Sequence, residues 1–402
     1  MKRIALLGCT GSIGQQTLDV ISNHPDKFEL ISIASGRGSE TLAGQINQFK
    51  PKRVSVGDET AAKQLRDFGL NYPPEFVFGK AGMVALAQDA AVDLVVVATS
   101  GQHGFAPTLA ALSAGKKVAL ANKEVLIMAG ELVTTLAHEK HSQLRPIDSE
   151  HSAIWQSLIG ENPVSDYYGE EDWSNANPKV RRLILTASGG PFRTFTREMM
   201  ANVTVEQAMK HPNWNMGPKI TIDSSTLFNK GLEVIEAHWL FGYPYDQIDV
   251  VVHAQSIIHS MVEYIDGSIK AQLGTADMRT PIQYALGYPE RLANNYPRLD
   301  FTKLRELNFE LPDLERFPAL RLAYEAGRIG GSYPTVLAAA DEEAVRLFLE
   351  RQIPYLGIAE TVERTLNAHN FIAHPTLEDI AETDAWARRT AVELATKAVA
   401  TA

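Results

Sequence analysis

Asp148-Ser149-Glu150 sets two carboxylates two residues apart, and on an extended chain such a pair points to one side. Oxygen donors gathered this way suit a hard divalent cation. The same tripeptide also reads as a helix start, with Asp148 as N-cap and Glu150 as a first-turn acid. Alone it leaves both readings open. Further along, Asn229–Leu240 places Leu232, Ile235 and Trp239 on one helical face. Glu233, Glu236 and Ala237 fall at i, i+3, i+4 on another; two carboxylates stacked there are either solvated or include a third metal ligand. Upstream, Ser188-Gly189-Gly190 ends an expected strand and Asp223-Ser224-Ser225-Thr226 starts an expected helix. Ser188, Ser224, Asn229 and Lys230 supply hydroxyl and amide donors and one ammonium, the inventory of a phosphate pocket.

A second group lies at the chain start. Gly8-Cys9-Thr10-Gly11-Ser12-Ile13-Gly14 follows an apolar run and opens a helical one. Glycines let the backbone approach a pyrophosphate, and the helix N-terminus offers unpaired N–H donors. The bland alternative is a tight turn that binds nothing. An NAD enzyme would carry an acid roughly 20 residues after the glycines to hold the ribose. Here the second strand runs out into Ala34-Ser35-Gly36-Arg37-Gly38-Ser39, with no acid until Glu40. Arg37 and the serines suit a 2′-phosphate instead, so the reading is NADPH over NAD, unless Arg37 is only a solvated loop residue.

These residues need elements to hold them. Ile4–Leu7, Phe28–Ala34, Asp93–Thr99 and Val118–Ala121 read as buried strands, and Ser12–Ser22 as a helix. Such alternation predicts right-handed βαβ units and a mostly parallel sheet. After residue 150 the texture changes. Glu161–Asn177 reads as a polar surface excursion, Arg182–Thr186 as a strand, His211–Pro218 as a Pro/Trp-bearing stretch and Ser225–Phe241 as one helix. Ile258–Tyr264 and Ser268–Leu273, joined by Asp266-Gly267, predict a hairpin. Pro281–Pro318 carries five prolines without a period and reads as a linker; the chain is helical from Ala319, with a capping-box pattern at Thr376–Asp379.

Composition narrows the function classes. At ~150 residues per domain, 402 residues suggest two or three domains. A net charge of −10 argues against nucleic-acid binding through bulk positive charge. Residues 341–402 hold 11 acids against 6 bases, and 161–175 hold 5 acids and no base, so the acidity lies away from the candidate sites. A single cysteine, Cys9, fits a reducing compartment. No apolar run approaches the ~18 residues of a membrane span, and Met1-Lys2-Arg3 leads straight into a strand, so no leader peptide is expected. The expectation is a cytoplasmic protein without nucleic-acid or membrane partners.

The segments GCTGSIGQQTLDV, ALANKEVLIMAG, PIDSEHSAIWQSL, TASGGPF, HPNWNMGPKITIDSSTLFNKGLEVIEAHWLF and QSIIHSMVEYIDGSIKAQLGTADMRTPI resemble the 1-deoxy-D-xylulose-5-phosphate reductoisomerase family, in order over most of residues 1–285. The resemblance implies an NADPH- and divalent-metal-dependent oxidoreductase of the non-mevalonate isoprenoid pathway. It would isomerise 1-deoxy-D-xylulose 5-phosphate, a sugar phosphate, to a branched aldehyde and reduce that to 2-C-methyl-D-erythritol 4-phosphate. The implied fold is α/β: a Rossmann-like N-terminal parallel sheet, an α+β catalytic domain with an antiparallel hairpin sheet, and a C-terminal helical bundle. The implied division is an NADPH-binding domain over 1–149, a catalytic domain over 150–285 with a lid at about 205–218, a linker over 286–311 and a helical domain over 312–402.

The resemblance also assigns roles. Asp148, Glu150 and Glu233 match ligands of Mg²⁺ or Mn²⁺; Ser149 and Lys123 match residues at the reacting end of the substrate. Ser188, His211, Ser224, Asn229 and Lys230 match those gripping the substrate, chiefly its phosphate. Trp214 lies in the lid segment His211–Gly217 and would fold over the substrate. Thr10, Gly11, Ser12, Ile13, Gly36, Arg37, Gly38, Asn122, Glu124 and Gly217 match NADPH contacts. Lys123 would stabilise negative charge on oxygen beside the nicotinamide. His151, His238 and His253 read as structural. The family is homodimeric, and the 258–273 hairpin is the expected interface. Departures from the common pattern are Cys9 for serine, Gly38 for a polar residue (shifting 2′-phosphate recognition toward Arg37 and Ser39), Gly101-Gln102-His103-Gly104 near the cofactor, and Ala254 for proline. The rival readings are a metal-independent two-domain NADPH oxidoreductase and a non-catalytic NADPH-sensing protein.

Overall fold

Short β-branched runs in the first 146 residues become the strands of one parallel sheet. They are β1 (Lys2–Leu7), β2 (Phe28–Ala34), β3 (Arg53–Val56), β4 (Glu75–Phe78), β5 (Leu94–Val97), β6 (Lys117–Leu120) and β7 (Leu144–Pro146). Their order is β4-β3-β2-β1-β5-β6-β7, every neighbouring pair parallel. The computed structural model describes residues 1–161, 172–211, 214 and 216–401. Helices cover both faces, so β5 is apolar and buried throughout. Strand order reverses between β1 and β5, which opens a crevice at the carboxyl ends of the strands.

The first turn is fixed by backbone proximity. A Cβ on Gly14 would run into the Gly8 carbonyl, so only glycine lets the helix Ser12–Asn23 start this close to β1. Gly38 is constrained likewise: a Cβ there would meet the Ala61 carbonyl.

A second sheet follows, of β8 (Val180–Ala187), β9 (Ile248–Val252), β10 (Ile258–Tyr264) and β11 (Ile269–Leu273), in the order β11-β10-β8-β9. The expected antiparallel hairpin is β10–β11; β8 and β9 add a parallel pair. The helix Ser149–Leu158 packs on this sheet. Its Trp155 is fully buried, with ring centroids 4.5 Å from Trp173, 4.6 Å from Tyr284 and 4.8 Å from Tyr288. Aromatic pairs contribute about 0.5–1.5 kcal/mol each beyond area burial, so this cluster sets where the helix, and the carboxylates at its start, can sit. Downstream, helices Pro318–Ile329, Tyr333–Leu349, Gly357–Asn367 and Leu377–Thr401 pack together. Thr376 and Asp379 cap the last one reciprocally.

Four expectations are corrected. Ser225–Phe241 is not one helix: Pro218–Thr226 and Phe228–Phe241 meet at Leu227, whose φ of 63° breaks the path. Asp223–Thr226 therefore ends a helix rather than starting one. The proline-bearing stretch from Pro281 begins inside a helix, Arg279–Gly287, because Pro281 falls in the first turn where its missing N–H costs nothing. Asp148 and Glu150 are not on extended chain; Asp148 is the N-cap of Ser149–Leu158 and Glu150 lies in its first turn. Most of the expected 161–177 excursion, residues 162–171, lies outside the described residues, as do Pro212, Asn213 and Asn215 of the lid segment.

Candidate active site

Lys123, Asp148, Glu150, Asn229, Lys230 and Glu233 line one cavity of 610 Å³. Lys123 opens the helix that follows β6, and Asp148 caps the helix that follows β7. Both thus lie at the carboxyl edge of the parallel sheet. The helix Phe228–Phe241 is buried along most of its length and delivers Asn229, Lys230, Glu233 and Glu236. One ligand atom each from Asp148, Glu150 and Glu233 lies within 4.8 Å of the others, and all three residues line the cavity. A second triple of Asp148, His151 and Glu236 also falls within 4.8 Å, but His151 and Glu236 do not line it. The His151 Nε2–H donates to the Glu233 carbonyl at 2.9 Å.

Two ammonium groups balance the carboxylates. Lys123 Nζ donates to Asp148 at 2.8 Å and to Glu236 at 3.4 Å. Lys230 Nζ donates to Glu150 at 2.6 Å and to Glu233. Asn229 Nδ2 donates to Glu233 Oε1 at 2.5 Å, and the Ser149 hydroxyl donates to Glu150 Oε2 at 2.6 Å. Burial pushes Asp148 up, but the adjacent Lys123 outweighs it and holds the carboxyl well below the usual range. Glu233, fully buried, goes the other way: burial first, then the Glu150 charge, raise it well above the usual range. Burial opposes the charge on Lys123, yet Asp148 and Glu236 raise it well above the lysine value. Glu236, one of the two acids that the helical pattern left open between solvated and ligating, is not solvated. It is buried and serves as a counter-ion of Lys123.

The phosphate-pocket inventory divides. Ser188, Ser224 and His211 meet: His211 Nε2 lies 3.0 Å from Ser188 Oγ and 3.1 Å from Ser224 Oγ. The Trp214 N–H donates to His211 Nδ1 at 2.9 Å, so the ring proton belongs on Nε2, facing the serines. Burial lowers this imidazole below the usual histidine value, favouring that neutral form. Asn229 and Lys230 line the same cavity but hold the carboxylates. Gly217, N-cap of the helix Pro218–Thr226, also lines it.

The glycine turn divides two cavities. Ser12 and Ile13 line the first; Thr10, Gly11 and Gly36 line a second, of 790 Å³, closed on one side by Leu377, Ile380 and Ala381. Thr10 Oγ1 lies 3.0 Å from Ser35 Oγ. Arg37 is exposed on the loop after β2. Ser39 does not share its freedom, since its hydroxyl accepts from Leu42 N as a helix cap. Asn122 is buried, its amide spent on Val125 N, Thr99 O and Gly101 O, so its side chain shapes the loop beside the cofactor space. Glu124 is half-buried in the first turn of the helix opened by Lys123. Cys9 is buried, its thiol pushed up to about 12. His238 and His253 bond to the carbonyls of Tyr243 and Asn308, away from both cavities.

His259 was not foreseen. It sits on β10, 8% exposed, lines the first cavity and has its ring centroid 6.3 Å from that of Trp214. Nothing in its local pattern marked it, since Ser260 and Glu263 are polar residues of the same strand. Asp277 and Arg279 line the same cavity and pair at 2.6 Å.

The chain resembles known proteins along its length. Residues 4–130 match the family model "1-deoxy-D-xylulose 5-phosphate reductoisomerase", 144–241 its C-terminal domain model, and 273–390 the "DXP reductoisomerase C-terminal domain". The 1-deoxy-D-xylulose 5-phosphate reductoisomerase of Chlorobium chlorochromatii is 53% identical over 391 residues, 97% of this chain and 99% of that one. A solved structure of the Zymomonas mobilis reductoisomerase in complex with NADPH superposes with a TM-score of 0.89 at 43% identity, covering 98% of this chain and 99% of that one. A DOX-P reductoisomerase in complex with NADPH, fosmidomycin and magnesium gives 0.90 at 38% identity, covering 99% of each.

Proposed function

The chain belongs to the 1-deoxy-D-xylulose 5-phosphate reductoisomerase family, and we propose that its Asp148–Glu150–Glu233 cluster is the metal centre of that activity. The protein converts 1-deoxy-D-xylulose 5-phosphate to 2-C-methyl-D-erythritol 4-phosphate, with NADPH and a divalent metal, on the non-mevalonate route to isoprenoid precursors. The observation that carries the assignment is the convergence of three carboxylates in one cavity, with the Lys123 and Lys230 ammoniums as their charged partners among the described residues. The donor set fits Mg²⁺ or Mn²⁺: hard oxygens and no thiolate.

When bound, the divalent ion supplies Lewis acidity toward the carbonyl and neighbouring hydroxyl of the ketose phosphate. NADPH supplies the hydride. The protein's residues do the rest. Asp148, Glu150 and Glu233 would hold the metal in place of their lysine partners. Lys123 would then keep Glu236 and stabilise developing negative charge on the reacting oxygen. Lys230, with Asn229 beside it, would be released to bind the substrate. Ser188, Ser224 and the His211 Nε2–H offer a phosphate three donors away from the reacting carbons, so binding there positions the substrate. Trp214, anchored through its N–H to His211, covers it. Thr10, Gly11, Ser12, Ile13 and Gly36, with Arg37 on the loop beyond, would hold NADPH along the boundary of the two cavities.

Three expectations follow from the charges. Lys230→Ala should raise KM for the ketose phosphate about 10-fold or more while leaving Mn²⁺ binding intact or tighter, since a competing ammonium is gone; an unchanged KM would contradict the phosphate role. Because Glu233 is raised, it holds a proton at pH values where an ordinary glutamate has lost it, and metal must displace that proton. Mn²⁺ affinity therefore rises with pH, and titration calorimetry in two buffers of different ionisation enthalpy should show proton release; binding without release would contradict this. The family activity itself is tested by NADPH consumption with 1-deoxy-D-xylulose 5-phosphate, with and without chelator. Turnover that survives metal removal would favour a metal-independent oxidoreductase, and binding without turnover a sensor.

Residues 258–273 are the proposed dimer contact. β11 is the outer strand of its sheet and exposes Ile269 and Lys270, an edge that pairing with a second copy would cover. No helix among the described residues is long and apolar enough to cross a membrane; the single buried cysteine supports a cytoplasmic location.

A further inference from the structure

Among the described residues, none of those lining the first cavity comes from beyond Arg279, so the C-terminal helices reach the substrate space through other elements. One link is charged. Lys219 sits in the first turn of the helix Pro218–Thr226, just after Gly217, and donates at 2.5 Å to Asp223 one turn along the same helix. It donates at the same distance to Asp341 on the helix Tyr333–Leu349. Both aspartates are buried, at 2% and 0% exposure, and in each the remaining oxygen, Oδ1, has no partner among the described residues. One ammonium thus holds two buried carboxylates from two elements. Such a junction tolerates little movement, since separating it leaves buried charge unpaired.

The pinned helix carries the substrate-binding groups at its ends. Gly217 at its start lines the cavity and borders the segment bearing His211 and Trp214; Ser224 near its end meets Ser188 and His211. We infer that Asp341, acting through Lys219, is a positioning residue that holds this helix in register, so that Ser224 and His211 face Ser188 across the phosphate site. The inference rests on the phosphate role proposed above for Ser188, Ser224 and His211. It gives the C-terminal helices a part in substrate binding although, among the described residues, none of theirs lines the first cavity.

The test is steady-state kinetics of Asp341→Asn, which keeps shape and removes charge. KM for 1-deoxy-D-xylulose 5-phosphate should rise about tenfold, with kcat and KM for NADPH within about twofold of wild type. Inhibition by inorganic phosphate should weaken by a similar factor. Lys219→Arg keeps the charge but moves the donors, and should shift the same two constants even if Asp341→Asn fails to fold. An unmoved substrate KM, or substrate and NADPH constants rising together, would overturn the inference. A wild-type enzyme inactive on the ketose phosphate would instead overturn the functional reading beneath it, so the two failures are distinguishable.

Discussion

Glu233→Gln should abolish metal-dependent turnover. The substitution preserves volume on a fully buried residue, so the fold should survive while one of three anionic ligands is lost. If the metal contributes several kcal/mol of charge stabilisation, NADPH oxidation with 1-deoxy-D-xylulose 5-phosphate should fall by about 10³-fold. Mn²⁺ binding should weaken in the same variant, and Lys230, which now donates to Glu233, should be left with Glu150. Near-wild-type turnover would sink the metal assignment. Asp148→Asn should behave alike, with one addition: Lys123 would lose its closer partner and keep only Glu236.

Lys123→Met should separate chemistry from metal binding. The ammonium lies against Asp148 and Glu236, so its loss removes a competitor for Asp148 and should not weaken Mn²⁺. kcat should nevertheless fall by about 10²–10³-fold, the range seen when one preorganised donor to a developing oxyanion is removed. Its measurement is kcat at saturating metal and substrate beside a direct Mn²⁺ titration. A variant that keeps kcat would show that Lys123 only neutralises the carboxylates; one that loses Mn²⁺ would show that it shapes the metal site itself.

Much of this was legible in the residues, for identifiable reasons. β2 occupies the expected Phe28–Ala34 and β10 the expected Ile258–Tyr264, because a mostly apolar stretch in the first and strand alternation in the second, each bounded by turn residues, leave little ambiguity. β3 and β4 passed unnoticed: each is four residues long, and β4 is only partly buried, too short to show a period. Leu227 gave no warning of its positive φ, which a branched side chain seldom adopts. Asp148 showed two readings at once; its Oδ1 accepts from Ser149 N as a helix cap, while its Oδ2 takes the Lys123 ammonium on the side where a metal is proposed. What local pattern could not reveal is pairing across long separations. Lys230 and Glu150 are 80 residues apart and Lys123 and Glu236 are 113. Only the packing of three helices on two sheets turns an acidic cluster and two lysines into one balanced site.

That balance makes a claim about place which diffraction can check. A crystal of the enzyme soaked in Mn²⁺ and measured at the manganese edge should show one anomalous peak bounded by Asp148, Glu150 and Glu233, with the Lys123 and Lys230 ammoniums displaced from these carboxylates. A peak held instead by Asp148, His151 and Glu236, or an undisturbed set of lysine pairs with no peak at the cluster, would contradict the account.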